Sequence, residues 1–242
     1  MEQKDMPGKS IWFDLDGTLL PMNLKTFTDG YFASLAGFLS CHGFEPKELI
    51  PKIWAATRAM MRNDGKRTNE AVFWEALNEL YPERAPLNPA PFEEYYRTEF
   101  ESVKRFCGFQ PEAAALITEL KRQGYFLVIA TNPVFPLCAI EARLRWAGLE
   151  PASFDRITTY ENSGFCKPFP GYYREILNAC ACSPEDCLMV GNDMEEDLPA
   201  AEVGANVFLI VDCLINPKKA PLEPVVHGPF SALLPWIRTN FS

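Results

Sequence analysis

The chain has 242 residues, of which 48% are hydrophobic and 23% charged, and it contains 14 glycines and 21 prolines. This composition is typical of a folded globular protein with one or two domains, and it excludes collagen-like and disordered chains. The 32 acidic residues outnumber the 23 lysines and arginines, which gives a formal net charge of −9. Because that charge repels polyanions, we expect neither nucleic acid nor an anionic membrane as a partner.

The N-terminal residues and the cysteines both indicate a cytoplasmic protein. Residues 1–6 carry two acids and no apolar stretch of signal-peptide length, and no apolar run approaches the roughly 18 to 20 residues that span a bilayer. The 8 cysteines are scattered, and several lie in apolar runs, so we expect reduced thiols. Cys180, Cys182 and Cys187 are close in sequence, but their spacing matches no common zinc pattern, and we expect no metal there.

The chain begins with a strand and continues into a long helical segment. Residues 11–15 form a short apolar run that favours a β-strand and ends in a turn at Asp16-Gly17-Thr18. Residues 20–107 contain no comparable strand run, so we predict an inserted helical domain with these bounds. A proline-rich stretch within it, 82–91, is predicted to be an exposed loop. Helical spacing occurs in three parts of the insertion: 27–42, 46–62 and 69–81.

From about residue 112 onwards, helix-like and strand-like segments alternate. The predicted strands are 125–130, 156–159, 187–190 and 207–211, and the predicted helices are 112–123, 136–147, 170–180, 196–203 and 230–238. Nearly continuous apolar strands that alternate with amphipathic helices predict a parallel sheet covered on both faces. We therefore predict an α/β protein with a Rossmann-like, doubly wound core formed by residues 1–19 and 108–242.

Two carboxylates follow the first strand. Asp14 and Asp16 are separated by one residue, so the pleat of the strand directs both to the same side if the strand persists that far. Two anions about 4 Å apart repel each other by about 4 kcal/mol at an effective dielectric of 20, so a cation or a shared proton must hold them. An isolated Asp-x-Asp-Gly is more often a simple turn, and this motif needs support from elsewhere in the chain.

Polar residues also follow the next two strands. Thr131 and Asn132 follow the second strand and could donate hydrogen bonds to a phosphate, although Thr-Asn-Pro is usually a turn. Lys167 follows the third strand, where it would be a compact counter-charge for phosphate. A single lysine is normally a solvated surface charge, so only its position among acids favours this role.

The fourth strand ends in another acidic segment. Asp193 follows Gly191, and Asp197 lies four residues later. Asp193 and Glu196 also resemble a capping box for the next helix, which explains the acids without any chemistry. Ligands of open α/β sheets bind at the carboxyl ends of the strands, and the convergence of all four strand ends favours a catalytic site there.

In order, these segments resemble the four motifs of the haloacid dehalogenase superfamily of phosphatases, whose members can carry a helical cap between the first and second motifs. The resemblance covers residues 10–19 and 108–215. The segments that carry it are Phe13-Asp14-Leu15-Asp16-Gly17-Thr18-Leu19, Ile129-Ala130-Thr131-Asn132, Lys167-Pro168 and Val190-Gly191-Asn192-Asp193 with Asp197.

The resemblance implies a phosphatase that works through an aspartyl-phosphate. Asp14 would attack the phosphoryl group, and Asp16 would protonate the leaving alcohol and later deprotonate water. Thr131, Asn132 and Lys167 would bind the phosphate. Mg²⁺ would be held by the acids of the first and fourth motifs: Asp14, Asp16 through its carbonyl, Asp193 and Asp197. Hard oxygen ligands suit this ion, and the substrate would be a small phosphorylated metabolite.

Several alternatives stay open at this stage. Asn192 separates Gly191 from Asp193, where many relatives have Gly-Asp directly, so the metal role of Asp193 is the least secure. Asp16 argues against carbon–halogen cleavage, because the dehalogenases of the superfamily do not use an acid at this position. A sugar-phosphate mutase keeps the same motifs, a phosphonate hydrolase would need a lysine in the cap, and a non-catalytic binding protein could retain the fold.

Overall fold

The computed structural model describes residues 8–241, and its centre is a parallel sheet of six strands in the order β3-β2-β1-β4-β5-β6. The strands are β1 (Ser10–Phe13), β2 (Phe126–Ile129), β3 (Arg156–Ile157), β4 (Cys187–Gly191), β5 (Asn206–Ile210) and β6 (His227–Gly228). Trp12 of β1 lies in register with Val128 of β2 and Met189 of β4. The predicted doubly wound parallel sheet is therefore confirmed. Residues 1–6, on which the signal-peptide argument depends, lie outside the described residues.

Eight α-helices are present in this part of the chain. They are α1 (Leu24–Ser40), α2 (Pro46–Met60), α3 (Asn69–Leu80), α4 (Ala90–Arg97), α5 (Ala113–Arg122), α6 (Leu137–Trp146), α7 (Pro170–Cys180) and α8 (Phe230–Asn240). The predicted loop 82–91 is wrong at its end, because α4 begins at Ala90 and tolerates Pro91 in its first turn. The predicted helix 196–203 is a 3₁₀ segment, Leu198–Val203.

The central strand is completely buried, which explains the apolar run 11–13 after its first residue, Ser10, whose hydroxyl donates to the Phe126 carbonyl at 3.0 Å. Ile11 and Phe13 belong to the hydrophobic cluster on one face of the sheet, whereas Trp12 belongs to the cluster on the other face. This division follows from the pleat, because successive side chains of a strand point to opposite faces. A strand covered on both faces carries such an apolar run up to its end, and the first acids follow immediately after it.

Between β1 and α5 the described chain is helical, and it packs against the carboxyl edge of the sheet. Tyr31 of α1 lies 5.3 Å from the Phe135 ring and 6.1 Å from the Phe100 ring, centroid to centroid. Phe100, on a 3₁₀ segment (Glu99–Phe106), lies 4.9 Å from Trp146 of α6. One apolar cluster therefore extends from the sheet into this segment. The bounds 20–107 for a separate cap domain stay a prediction.

The start of α3 holds the helical segment against the core at a second place. The buried Asn69 donates through Nδ2 to the Pro133 carbonyl at 3.1 Å, and the amide of Glu70 donates to the Tyr160 carbonyl at 2.8 Å. A Cβ on Gly164 would lie 2.9 Å from the Cα of Gly65, so this contact requires glycine. The helical segment is thus fixed on both sides of the edge where the sheet ends.

The structure bears on two expectations from the sequence, one about membrane-spanning segments and one about the state of the cysteines. None of the helices described between residues 8 and 241 is long and apolar enough to cross a bilayer. All eight cysteines fall within that range, and each is a free thiol.

Candidate active site

Asp14 extends the ladder of the central strand by one residue. Its amide donates to the Val190 carbonyl at 2.8 Å, which fixes the backbone next to β4. The turn that follows depends on Gly17, whose φ is +90° and whose missing Cβ would overlap the Asn192 side chain. Within this turn the Leu20 amide donates to the Leu15 carbonyl at 2.9 Å. The turn leaves both Asp14 and Asp16 on the wall of one cavity.

Lys167 is fully buried between two carboxylates. Its Nζ lies 2.9 Å from Asp14 Oδ1 and 2.6 Å from Asp197 Oδ1. Burial alone lowers the pKa of the Lys167 ammonium, but the two carboxylates together hold that pKa well above its usual value. The lysine therefore stays charged and neutralises the acids that the first and fourth motifs bring together.

Asp197 is occupied entirely by contacts within the protein. Its Oδ1 faces Lys167, and its Oδ2 accepts hydrogen bonds from the amides of Asn192 and Asp193, both at 2.9 Å. A Cβ on Gly191 would overlap this carboxylate, which explains the glycine at the end of β4. Asp197 thus shapes the loop that carries Asp193 and orients Lys167.

The Asp193 carboxylate caps the following segment through one oxygen and leaves its other oxygen available to a ligand. Its Oδ1 accepts from the amides of Glu195 at 2.7 Å and Glu196 at 3.1 Å, as the capping pattern predicts. The hydrogen bonds found for this carboxylate in residues 8–241 all end on Oδ1, so Oδ2 keeps its lone pairs. Asn192 cannot substitute for it, because its Oδ1 accepts from Thr18 at 3.0 Å and its Nδ2 donates to the Cys213 carbonyl at 2.7 Å.

The residues after β2 line the same cavity. Thr131 is buried, and its carbonyl accepts from Thr158 Oγ1 at 2.8 Å and from the Tyr172 hydroxyl at 2.9 Å. Asn132 donates through Nδ2 to Glu196 Oε1 at 3.0 Å. Its Oδ1 is buried without a partner in the described part of the chain. Glu196, which the sequence indicated only as a capping residue, is therefore part of the site.

Arg143 of α6 is a site residue that sequence reasoning missed. Its guanidinium is completely buried, forms an ion pair through Nη1 with Asp16 Oδ2, and stacks 4.4 Å from the centre of the Phe135 ring. Within residues 8–241, Nη2 of this arginine and Oδ1 of Asp16 are both buried without a hydrogen-bond partner. Each of the two acids of the first motif thus has its own buried cation.

The charge balance of the site explains the titration of its carboxylates. Burial raises the pKa of Asp14 to about 8; Lys167 opposes this shift, whereas Asp197 and Asp16 add to it. Burial likewise raises the pKa of Glu196 to about 7, against the opposing effect of Lys167. Buried carboxylates hold protons in this way when the positive charge nearby is insufficient to neutralise them. A cation bound beside these carboxylates would displace such protons near neutral pH.

The residues at this place fit a divalent cation that binds hard oxygen ligands. Asp14 and Asp193 each keep one carboxylate oxygen free of the hydrogen bonds described above, and the backbone carbonyl of Asp16 accepts none among the described contacts. Between residues 8 and 241, no group of three or more His, Cys, Asp or Glu side chains is arranged so that it could hold a metal ion by itself. Two carboxylates, one carbonyl and retained waters are a ligand set that suits Mg²⁺ rather than zinc.

A cavity of about 510 Å³ connects these acids to the helical segment. At one end it is lined by Asp14, Asp16, Thr131, Asp193 and Glu196, and at the other by side chains of α1, α2, α3 and α4. Its volume lies within the range of small-molecule sites. The reacting group of a ligand can thus contact the acids while its remaining part lies between the helices.

The sequence profile of the haloacid dehalogenase-like hydrolases matches residues 9–204, which include all four motifs. The chain belongs to this hydrolase family. The resemblance drawn from the four strand ends is thereby confirmed, as is the assignment of the chain to the hydrolases.

Two curated relatives agree with this assignment. The chain is 32% identical over 158 residues to a phosphoserine phosphatase of Thermus thermophilus, which covers 64% of the chain and 59% of the relative. It is 30% identical over 130 residues to a glyceraldehyde 3-phosphate phosphatase of Methanothermobacter thermautotrophicus, which covers 53% and 54%. The chain thus spans less than two thirds of the length of both.

Among solved structures, a 2-haloacid dehalogenase from Pseudomonas syringae superimposes with a TM-score of 0.63 at 20% identity, over 97% of this chain and 99% of the other. At this identity the likeness concerns the fold alone. It extends over the helical segment as well as the sheet.

Proposed function

We propose that this hydrolase is a Mg²⁺-dependent phosphomonoesterase that acts on a small phosphorylated metabolite through an aspartyl-phosphate. The observation that carries the proposal is the placement of Asp14: its carboxylate lies at the end of the central strand, contacts the buried Lys167 and faces a ligand-sized cavity. Asp16, two residues later, faces the same cavity and supplies a second acid.

The residues divide the reaction into two transfers. A carboxylate oxygen of Asp14 forms a bond to phosphorus, the ester P–O bond breaks, and Asp16 gives its proton to the leaving alcohol. Asp16 then takes a proton from water, whose oxygen attacks phosphorus. The bond to Asp14 breaks, and inorganic phosphate leaves. Thr131 and Asn132 bind the phosphoryl oxygens, and Lys167 neutralises the nucleophile.

The divalent ion belongs to the same proposal. Asp14, Asp193 and the Asp16 carbonyl would hold it, while Asp197, whose oxygens are both engaged, would position Lys167 and the loop around it. When bound, Mg²⁺ supplies charge neutralisation for the phosphoryl group. The raised pKa values of Asp14 and Glu196 support this need for positive charge.

The names of the relatives support phosphoryl chemistry. Two curated relatives are named phosphatases. The free thiols are consistent with the cytoplasmic location that we propose for the protein. The position of Asp16 on the cavity wall favours phosphatase over dehalogenase activity, since carbon–halogen cleavage in this family proceeds without an acid at that position.

A phosphonate hydrolase is less well supported. Its chemistry would need a lysine in the cavity, but Lys25 pairs with Asp29, and Lys66 with Asp64, on the surface. Lys52 lies over the Tyr81 ring, 3.6 Å from its centre. A sugar-phosphate mutase stays open as an alternative, because it would use the same acids.

The test compares Asp14→Asn with a surface control. Wild-type protein should hydrolyse p-nitrophenyl phosphate only with Mg²⁺ and should form an acid-stable, hydroxylamine-sensitive phosphoprotein. Asp14→Asn should lose both, whereas Asp29→Asn, an exposed acid paired with Lys25, should retain both. Turnover that survives removal of divalent ions, or wild-type turnover by Asp14→Asn, would refute the proposal.

A further inference from the structure

The part of the cavity that lies between the helices is walled by aromatic side chains. They include Phe27, Phe32, Trp54, Phe73, Trp74 and Phe92. Several contact one another: the Phe32 and Trp54 rings lie 5.1 Å apart, and Trp74 and Phe92 lie 5.3 Å apart, centroid to centroid. Such walls favour a ligand that gains from leaving water, by dispersion and ring contacts.

Three of the polar side chains in this part of the cavity bond within the protein. The hydroxyls of Tyr31 and Tyr96 are 2.8 Å apart and bond to each other. Asn78 donates to the Trp74 carbonyl at 2.7 Å and accepts from the Leu87 amide at 2.7 Å. The hydroxyls of a sugar or of glycerol would therefore lose their water partners beside the aromatic walls without gaining these three side chains in return, which disfavours a polyhydroxylated ligand.

The charges in this part of the cavity are negative. Glu70 and Glu93 line it, and burial, with Glu161 and Glu93 nearby, raises the pKa of Glu70. None of the residues that the structure places on the cavity wall is Lys or Arg. A second anionic group on the ligand, such as a carboxylate or another phosphate, would thus meet the like charge of Glu70 and Glu93, of which Glu93 has a cation nearby, with Arg97 Nη2 at 3.6 Å.

We propose that the cavity selects phosphate monoesters whose alcohol part is an extended apolar body with a ring, and that it discriminates against polyhydroxylated and doubly anionic esters. This inference rests on the proposed phosphomonoesterase activity and names the substrate class of the same site. The phosphate lies at Asp14, and the apolar body extends between α1, α2, α3 and α4. A body of two or three carbons leaves most of the 510 Å³ unfilled.

The experiment uses esters that differ in their body but share a primary alcohol as leaving group, so that the chemistry is matched. We expect kcat/KM for 3-phenylpropyl phosphate to exceed that for ethyl phosphate and glycerol 1-phosphate by about 100-fold, which corresponds to burial of about three to four of its additional carbons at roughly a fourfold gain per methylene. Glucose 6-phosphate should rank with glycerol 1-phosphate. A second pair isolates charge: butyl phosphate should be preferred over 3-carboxypropyl phosphate, and Glu70→Gln should reduce that preference.

Two wall variants connect the preference to the cavity. Trp54 lines the cavity and is 39% exposed, so Trp54→Gln should fold. It should raise KM for 3-phenylpropyl phosphate about five- to tenfold and leave ethyl phosphate unchanged. Phe109 is 61% exposed and lies outside the cavity, so Phe109→Gln should change neither value.

The outcomes separate this inference from the proposed function. If ethyl phosphate and p-nitrophenyl phosphate are both left intact in the presence of Mg²⁺, the proposed function fails and the inference with it. If they are hydrolysed but glycerol 1-phosphate or glucose 6-phosphate is preferred over 3-phenylpropyl phosphate, only the substrate class is wrong. Equal effects of Trp54→Gln on the large and the small ester would likewise overturn it.

Discussion

Replacement of Lys167 by methionine tests how the acids of the site are held in the folded protein. The lysine contacts Asp14 at 2.9 Å and Asp197 at 2.6 Å, and all three side chains are buried. Lys167→Met has a similar length but no charge, so it leaves Asp197 as a buried anion with only two backbone amides. Loss of one partner from a buried ion pair costs about 3 to 5 kcal/mol.

The assay is urea denaturation without divalent ions at pH 7, with Lys66→Met as the matched control. The Lys66 side chain is 82% exposed and contacts only the exposed Asp64, so the control should change the free energy of unfolding by no more than about 0.5 kcal/mol. In Lys167→Met/Asp197→Asn the buried anion is removed together with its cation. This double variant should recover about half of the loss.

A loss in Lys167→Met no larger than that of the control would refute the electrostatic account of this cluster. Failure of the double variant to recover stability would show that the loss comes from packing of the lysine chain rather than from an unpaired carboxylate.

Arg143→Met should lower kcat for an alkyl phosphate roughly ten- to hundredfold, because Asp16 loses the partner that orients it, and Arg143→Lys should recover part of the loss. The first-turnover burst of p-nitrophenol from p-nitrophenyl phosphate, whose leaving group needs no proton, should be preserved, and an equal loss in that burst would argue against this role. A second prediction concerns pH. Since the pKa of Asp14 is raised to about 8, the metal-free protein should lose stability as pH rises from about 4 to 8, by up to about 1.4 kcal/mol per unit. Asp14→Asn should remove most of this slope in urea titrations, and an unchanged slope would contradict the assignment.

The sheet could be predicted from the sequence because its strands are buried on both faces. A strand such as β1 then carries a continuous apolar run, here residues 11–13, and its end is marked by the first acid. Short elements at the edge of the sheet or in the helical segment show this apolar pattern less clearly. The edge strand β6 has two residues, and α4 begins beside Pro91 in a stretch whose prolines indicate a loop.

The motif residues could be located for the same reason, because they directly follow the buried strands. The buried partner of Asp16 could not be located in this way. Arg143 lies 127 residues from Asp16 in the sequence, so no local pattern connects them. One signal was present: Arg143 lies three residues after Ile140 and one before Leu144, both of which are buried on α6. A cation on the apolar face of a helix indicates a buried anion, although the sequence does not say which one.

The distribution of charge connects the chemistry of the site to its selectivity. Lys167 and Arg143 both lie behind the catalytic acids, so the surface that a ligand meets is acidic at both ends, with Asp14 and Asp193 at one and Glu70 at the other. A phosphate dianion can approach the first end only when a divalent cation accompanies it or the carboxylates carry protons. The second end offers no such cation, and its aromatic wall accepts an uncharged body. With the proposed ion bound at the first end, the cavity would therefore fix one orientation of the ligand, because only that end would tolerate the anion.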